Sequence, residues 1–163
     1  MPSKSDLIAK AKARGWSPDA NRWVFGSLYL SEKTTLSPIS LSRKDIEDNI
    51  SAKILFDEEN DWDMPNKHFQ ADVDPLSVGF FSGLRDKKAT EIYSGDIVVV
   101  GYMPRIGFGR FIGTVVFEDG CFDVVCKHDR DYLKCSVANY DCEVIGNVYQ
   151  NSGLLNPEKG KAE

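Results

Sequence analysis

The side chains with the strongest capacity for chemistry gather toward the C-terminal end: Cys121, Cys126, Cys135 and Cys142, with His128 among them. Four thiols and an imidazole are donors enough for a zinc ion, which takes four such ligands in a tetrahedron. The spacing is a weak match, because zinc knuckles separate paired ligands by roughly two to four residues and, of these cysteines, only Cys121 and Cys126, with four residues between them, reach that range. On a strand, Cys121 and Cys126 fall on opposite faces, since side chains alternate. Cys126 and His128 share a face, which raises a thiol–imidazole nucleophile pair. Neighbours two apart on a strand are roughly 7 Å apart, too far for a direct hydrogen bond, and no oxyanion-hole motif accompanies them. The expectation is therefore ordinary free thiols, some buried, with no metal and no catalytic cysteine.

Two further stretches invite a ligand. Asp57-Glu58-Glu59-Asn60-Asp61-Trp62-Asp63 starts with the alternation of a calcium loop. Trp62 occupies the place that needs glycine, and the twelfth position is His68 rather than glutamate, so the EF-hand pattern fails. The segment from Asp45 to Asp74 nevertheless holds ten acids and two lysines. Such a face could imitate nucleic-acid charge and occupy a host DNA-binding protein. The glycine-rich run Met103 to Phe111 interleaves Arg105 and Arg110 with Phe108 and Phe111. Single-strand binders use this mixture, with bases on aromatic faces and arginine on phosphate. Gly107-Phe108-Gly109 is no dinucleotide fingerprint, for it lacks the third glycine and the acid that follows about 20 residues later. No P-loop, nucleophile elbow or zincin motif is present, so no enzyme is expected.

The 163 residues suit one medium domain or a small domain with an elaborated arm. Hydrophobic residues make up 42%, enough for a core, and the net charge of −5 disfavours a general polyanion binder. No apolar run approaches the roughly 20 residues that span a bilayer. The N-terminus lacks the apolar core of a signal peptide, and the expectation is a cytoplasmic protein.

The elements that must position these residues read mainly as strands. Ser5 to Arg14 is ambiguous: its alanines and lysines favour a helix, but Ala9 to Arg14 alternates with a strand period. A turn at Ser17 to Asn21 leads into a strand from Arg22 to Leu30, giving an opening hairpin in which Trp23 and Phe25 are candidates for self-association. Ser37 to Ile50 carries a short helix signal, with Ser42 and Asp45 as a capping pair. Ile54 to Phe56 is a short strand, and Asp57 to His68 reads as an acidic loop. Gly79 to Thr90 reads as a glycine turn and a charged turn, followed by the short strand Glu91-Ile92-Tyr93 and a turn at Ser94 to Asp96. Ile97 to Val100 is an isoleucine followed by three valines, apolar on both faces, and predicts a strand buried on both sides. Phe111 to Glu118, a turn at Glu118-Asp119-Gly120 and Cys121 to Cys126 form a hairpin. Cys142 to Tyr149 reads as the last strand, ended by Asn151-Ser152-Gly153. Four or five short strands in about 70 residues point to a small barrel.

In order along the chain, Asn21 to Gly26, Val73 to Gly79 with Gly83 to Lys87, Ile92 to Val98, and Glu143 to Tyr149 with Asn151, Leu154 and Leu155 resemble the YopX-like proteins of phages and prophages. Each piece alone is short; the four in register are specific. The resemblance runs from about Ile8 to Leu155, with a variable middle from Lys33 to Gln70. It implies an SH3-like barrel in the C-terminal half, an N-terminal β element, a tendency to self-associate and a phage origin, and it implies no known reaction. The expected organisation is thus a β arm with an acidic insert over 1–72, an SH3-like barrel over 73–155 and a disordered tail over 156–163. The expected role is a non-catalytic homo-oligomeric interaction module that meets an unknown host or phage protein, with nucleic-acid binding through Arg105 and Arg110 as the alternative.

Overall fold

The computed structural model describes residues 12–32, 50–58, 67–101, 110–128, 131–139 and 141–155. The protein is mainly β and built from antiparallel sheets, and it divides into two compact units between Gly79 and Phe80. The expected helix at Ser37 to Ile50 lies outside the described residues except for Ile50, which starts a strand. The expected tail over 156–163 and the loop from Met103 to Gly109 also lie outside them.

Unit 1 contains β1 (Lys12–Ser17), β2 (Arg22–Glu32), β3 (Ile50–Glu58) and β4 (Lys67–Val73), side by side in the order β4-β3-β2-β1. The strand period wins at the N-terminal side: β1 alternates half-buried and buried residues, with Ala13, Gly15 and Ser17 turned inward. The β1–β2 hairpin turns through Pro18 to Asn21, where Asn21 takes the left-handed φ of 49° that asparagine tolerates. Ser17 Oγ accepts from the Ala20 amide within that turn. The core comprises Ala13, Val24, Ala52, Ile54 and Val73, backed by Leu28, Phe56, Ala71 and Val78. The acidic loop is shorter than expected, because Asp57 pairs with His68 and Glu58 with Lys67 at the strand ends. Strand β4 is spelled by Phe69, Ala71 and Val73, a pattern legible only once β3 supplies Phe56, Ile54 and Ala52 as partners. After β4, Asp74 caps a single 3-10 turn at Pro75–Ser77 by accepting from the Leu76 amide. The Asp74 amide donates to the Trp16 carbonyl at 2.9 Å, and buried Ser77 Oγ accepts from the Trp16 amide at 2.7 Å. Asp-Pro-Leu-Ser is thus a clasp that returns the chain to β1.

Unit 2 contains β5 (Gly79–Arg85, starting at the boundary), β6 (Glu91–Tyr93), β7 (Asp96–Val100), β8 (Phe111–Glu118), β9 (Cys121–His128), β10 (Asp131–Ser136) and β11 (Cys142–Asn147). β5 and β6 pair with each other, and the other five form a sheet in the order β10-β9-β8-β7-β11. Where the sequence reads as a glycine turn, the chain runs on as β5. Gly83, at φ 81°, sits inside a register shift between Phe81 and Arg85 rather than in a hairpin bend. β7 is buried along its whole length, as its β-branched run predicts. Val98 and Val100 join Ile92, Val115, Val124, Cys135, Val137 and Cys142 in one core. Each such burial is worth about 1.5–3 kcal/mol for the larger aliphatic side chains. The β8–β9 hairpin turns at Asp119 and Gly120, both at positive φ, as a type I′-like bend requires.

The last strand is shorter than the sequence suggests. It ends at Asn147, and Val148–Asn151 forms a one-turn helix, α1, followed by a 3-10 turn at Ser152–Leu155. The reason is the cap: Asn147 Oδ1 accepts from the Gln150 amide, and Asn151 Oδ1 accepts from the Asn147 amide. Gly95 holds this corner from the other side. At φ 82° its N–H donates to Val115 O at 2.8 Å, and its carbonyl accepts from the Val148 amide at 2.9 Å. Among the described residues no helix is long and apolar enough to cross a membrane.

Candidate functional site

The four thiols are spread between the protein surface and the unit 2 core. Cys121 is exposed and lies 3.4 Å from the Glu118 carbonyl and 3.3 Å from Asp123 Oδ2. Cys126 is half-buried, while Cys135 and Cys142 are buried members of the unit 2 core. Burial pushes the Cys135 thiol up to about 11, and it pushes the Cys142 thiol up as well. A thiol held protonated is a weak nucleophile at neutral pH. The His128 side chain lies outside the described set. Among the described residues no group of three histidine, cysteine, aspartate or glutamate side chains is placed to hold a metal ion.

Of the glycine-rich run, Arg105 and Phe108 lie outside the described residues. Arg110 is exposed just before β8, and Phe111 is half-buried against the unit 2 core, opposite Val100.

Several charged groups of unit 2 gather at the β5–β6 turn, where Asp86 stabilises main chain. Asp86 is buried at 7% exposure. Its Oδ1 accepts from the Lys88 and Thr90 amides, both at 2.8 Å, and its Oδ2 accepts from the Val144 amide at 3.0 Å. Burial pushes this carboxyl up, but the Val144, Thr90 and Lys88 N–H groups together outweigh it and hold the carboxyl below its usual range. Beside it, Glu143 bridges Lys87 and Lys88, with Lys88 Nζ at 2.6 Å. Hydrogen bonds from Lys87 and Lys88 bring the Glu143 carboxyl down to about 2, and the same contact raises Lys88. Buried Tyr93 donates from its hydroxyl to Glu91 Oε2 at 2.6 Å, and Arg85 donates to Glu91 Oε1 at 2.7 Å. A carboxylate locked in this way is a poor general base near neutrality, because its basicity has been spent on amide donors.

A pH consequence follows from Glu143. Its folded-state carboxyl is more acidic than its ordinary 4.5, so the pair's contribution is complete above pH 4.5 and lost as pH falls toward about 2. Urea unfolding at neutral and at acid pH should show this loss in the native protein, and Glu143→Gln should lessen it. Equal acid sensitivity of the two would show that the pair adds nothing.

Unit 1 presents a different surface. The outward residues of β1 are Lys12, Arg14 and Trp16, and those of β2 include Trp23, Phe25 and Tyr29. Trp16 and Trp23 are cross-strand partners with ring centroids 5.8 Å apart at 72°, an edge-to-face contact. Arg14 lies over the Trp23 ring at 4.9 Å, and Lys12 over the Phe25 ring at 5.8 Å. Phe25 is 44% exposed, Tyr29 52% and Leu55, on the next strand, 44%. Of the two residues the sequence marks for self-association, Phe25 is open to solvent and Trp23 is half-buried between Trp16 and Arg14. The cations were missed from sequence, although Lys12-x-Arg14-x-Trp16 and Trp23-x-Phe25 share a period of two; the closing turn at Pro18 to Asn21 is what brings them onto one face.

The family described as YopX protein matches residues 12–156. This chain belongs to the YopX family. Among solved structures, the chain is similar to the crystal structure of protein EF1440 from Enterococcus faecalis, at 19% identity over 89% of this chain and 97% of that one, with a TM-score of 0.43. A search of curated proteins finds no match. The pieces that carried the YopX resemblance are the chain's fastening points. Val73 to Gly79 contains the Asp74–Ser77 clasp, and Gly83 to Lys87 contains the Asp86 anchor. Ile92 to Val98 contains buried Asp96, whose Oδ2 accepts from the Tyr93 amide at 2.8 Å. Glu143 to Asn151 contains the Asn147 cap. In this YopX chain these recognisable motifs hold the fold.

Proposed function

We propose that this YopX protein is a non-catalytic recognition module that self-associates through the outer face of the unit 1 sheet, centred on Trp23 and Phe25. The observation that carries the reading is a division of labour. The perturbed acids Asp86 and Glu143 and the buried thiols are engaged inside unit 2, whereas on β2 the exposed Phe25 and half-buried Trp23 rings carry cations from β1 laid over them. Exposed aromatic and arginine side chains are the groups that dominate recognition surfaces. We also propose a phage or prophage origin, supported by the family resemblance, and a cytoplasmic setting, supported by free cysteines suited to a reducing compartment.

We further propose that unit 2 curls into an SH3-like barrel. The first strand of its five-stranded sheet, β7, pairs with the last, β11, so that β10 and β11 are opposite edges of that sheet. In a flat sheet those edges would be about 19 Å apart. The link between them runs only from Val137 to Asp141, with Val137–Asn139 wound into a 3-10 turn at about 2 Å per residue. Cys135 on β10 and Cys142 on β11 also belong to one core, which a curled sheet brings about directly.

Static light scattering over a concentration series tests self-association. The native protein should exceed monomer mass, and Phe25→Ala with Tyr29→Ala should return it to monomer while leaving far-ultraviolet circular dichroism unchanged. A native monomer at every concentration would end this reading.

A further inference from the structure

Resting on the reading that this outer face is a recognition surface, we propose that its β1–β2 corner is a platform on which single-stranded nucleic acid competes with a second copy of the chain for Trp23 and Phe25. Trp23 and Phe25 are two positions apart on β2 and so present rings about 7 Å apart on one face. Arg14 and Lys12 reach diagonally from β1 over the Trp23 and Phe25 rings, at 4.9 and 5.8 Å from the ring centroids. Unpaired bases stack on aromatic rings and on guanidinium planes, while the same cations meet phosphate. Cations on one strand laid over rings on the next fit that ligand better than they fit an acidic peptide, which offers carboxylates but no flat π faces.

Charge is distributed accordingly. The described acids of this face, Asp57 and Asp72, stand on β3 and β4, where His68 Nδ1 lies 2.6 Å from Asp57 and Lys53 Nζ lies 3.4 Å from Asp72. The cationic corner is thus local, inside a chain of net charge −5. That balance predicts a modest affinity and few phosphate contacts. A duplex keeps its bases stacked inside and cannot lay them on a sheet, so the platform selects single strands.

The test is fluorescence anisotropy of a labelled oligothymidine and of the corresponding labelled duplex, titrated with the full chain at several salt concentrations. The single strand should bind more tightly than the duplex, with log affinity falling against log salt at a slope near −1.4, about 0.7 for each of two phosphate contacts. Phe25→Ala should weaken binding about tenfold through the lost stacking partner. Lys12→Ala should flatten the slope by about 0.7. Circular dichroism shows whether each variant is folded. No anisotropy change, equal duplex binding, or binding indifferent to both substitutions would overturn the proposal. Light scattering separates it from the self-association reading. A protein that self-associates but leaves the oligonucleotide free refutes the platform alone, and a monomer that binds it through Phe25 refutes self-association alone.

Discussion

Asp86→Ala should destabilise the protein by about 3 kcal/mol, since buried donors stripped of an acceptor cost about 1–3 kcal/mol each and water can reach some of them. The Val144 amide, half-buried on β11, is the most costly to strand, because its acceptor comes from a turn 58 positions earlier. Lys88 and Thr90 are exposed, so solvent replaces part of what their amides lose. The turn is also tied to β11 by Lys87, whose N–H donates to the Cys142 carbonyl, and by both lysines on Glu143. Removing the carboxylate therefore loosens the whole β5–β6 connection. Asp86→Asn should fall between the two, since its carbonyl oxygen can still serve Lys88 and Thr90 while its amide group opposes the Val144 N–H. The pH dependence separates charge from shape. With a folded-state carboxyl below its ordinary 3.8, the charge's contribution is complete above that pH and disappears as pH falls through the folded value. Urea midpoints at neutral pH should rank native above Asn above Ala, and the gap between native and Asn should narrow in strong acid. An alanine variant as stable as the native protein would remove Asp86 from its place as an anchor.

Gly26→Ala should be at least as damaging to unit 1. A methyl group at Gly26 would stand 2.1 Å from the main-chain oxygen of Leu55 and 2.9 Å from its carbonyl carbon. The obstacle is backbone of the neighbouring strand β3, so no rotamer change relieves it, and the β2–β3 ladder must part. Overpacking in a built core costs about 1–3 kcal/mol when side chains can give way, and a main-chain clash should exceed the top of that range. Gly153→Ala is the matching control, since a methyl there meets nothing within 4 Å. Thermal melts followed by tryptophan fluorescence, which reports Trp16 and Trp23 in this unit, should show an early transition for Gly26→Ala and none for Gly153→Ala. Coincident melts would mean that β2 and β3 approach less closely than 2.1 Å implies.

The two experiments bear on function as well as on stability. The proposed recognition face depends on β2 lying in register with β1, because Lys12, Arg14 and Trp16 meet Phe25 and Trp23 across that ladder. A variant that displaces β2 should also lose whatever that face binds. Asp86, by contrast, lies in the other unit and should leave the Phe25 surface intact once the protein is folded.

Ile97 to Val100 could be read as a doubly buried strand from composition alone, because β-branched residues crowd a helix and a continuous apolar run has no face to offer water. The turns at Pro18 to Asn21 and at Asp119-Gly120 were equally legible, since proline, asparagine and glycine act on their own backbone angles. Family membership was legible too, from short motifs that keep their order. What only the tertiary structure decided are the meetings between distant segments: Asp86 with the Val144 amide, the bare Gly26 with the Leu55 carbonyl, Asp74 and Ser77 with Trp16. It also decided that Val148 leaves the strand, through a cap that needs Asn147 and Asn151 together. Local preference reaches a few residues along the chain, whereas register and close approach are set by which strands pack side by side, and that is a property of the whole fold.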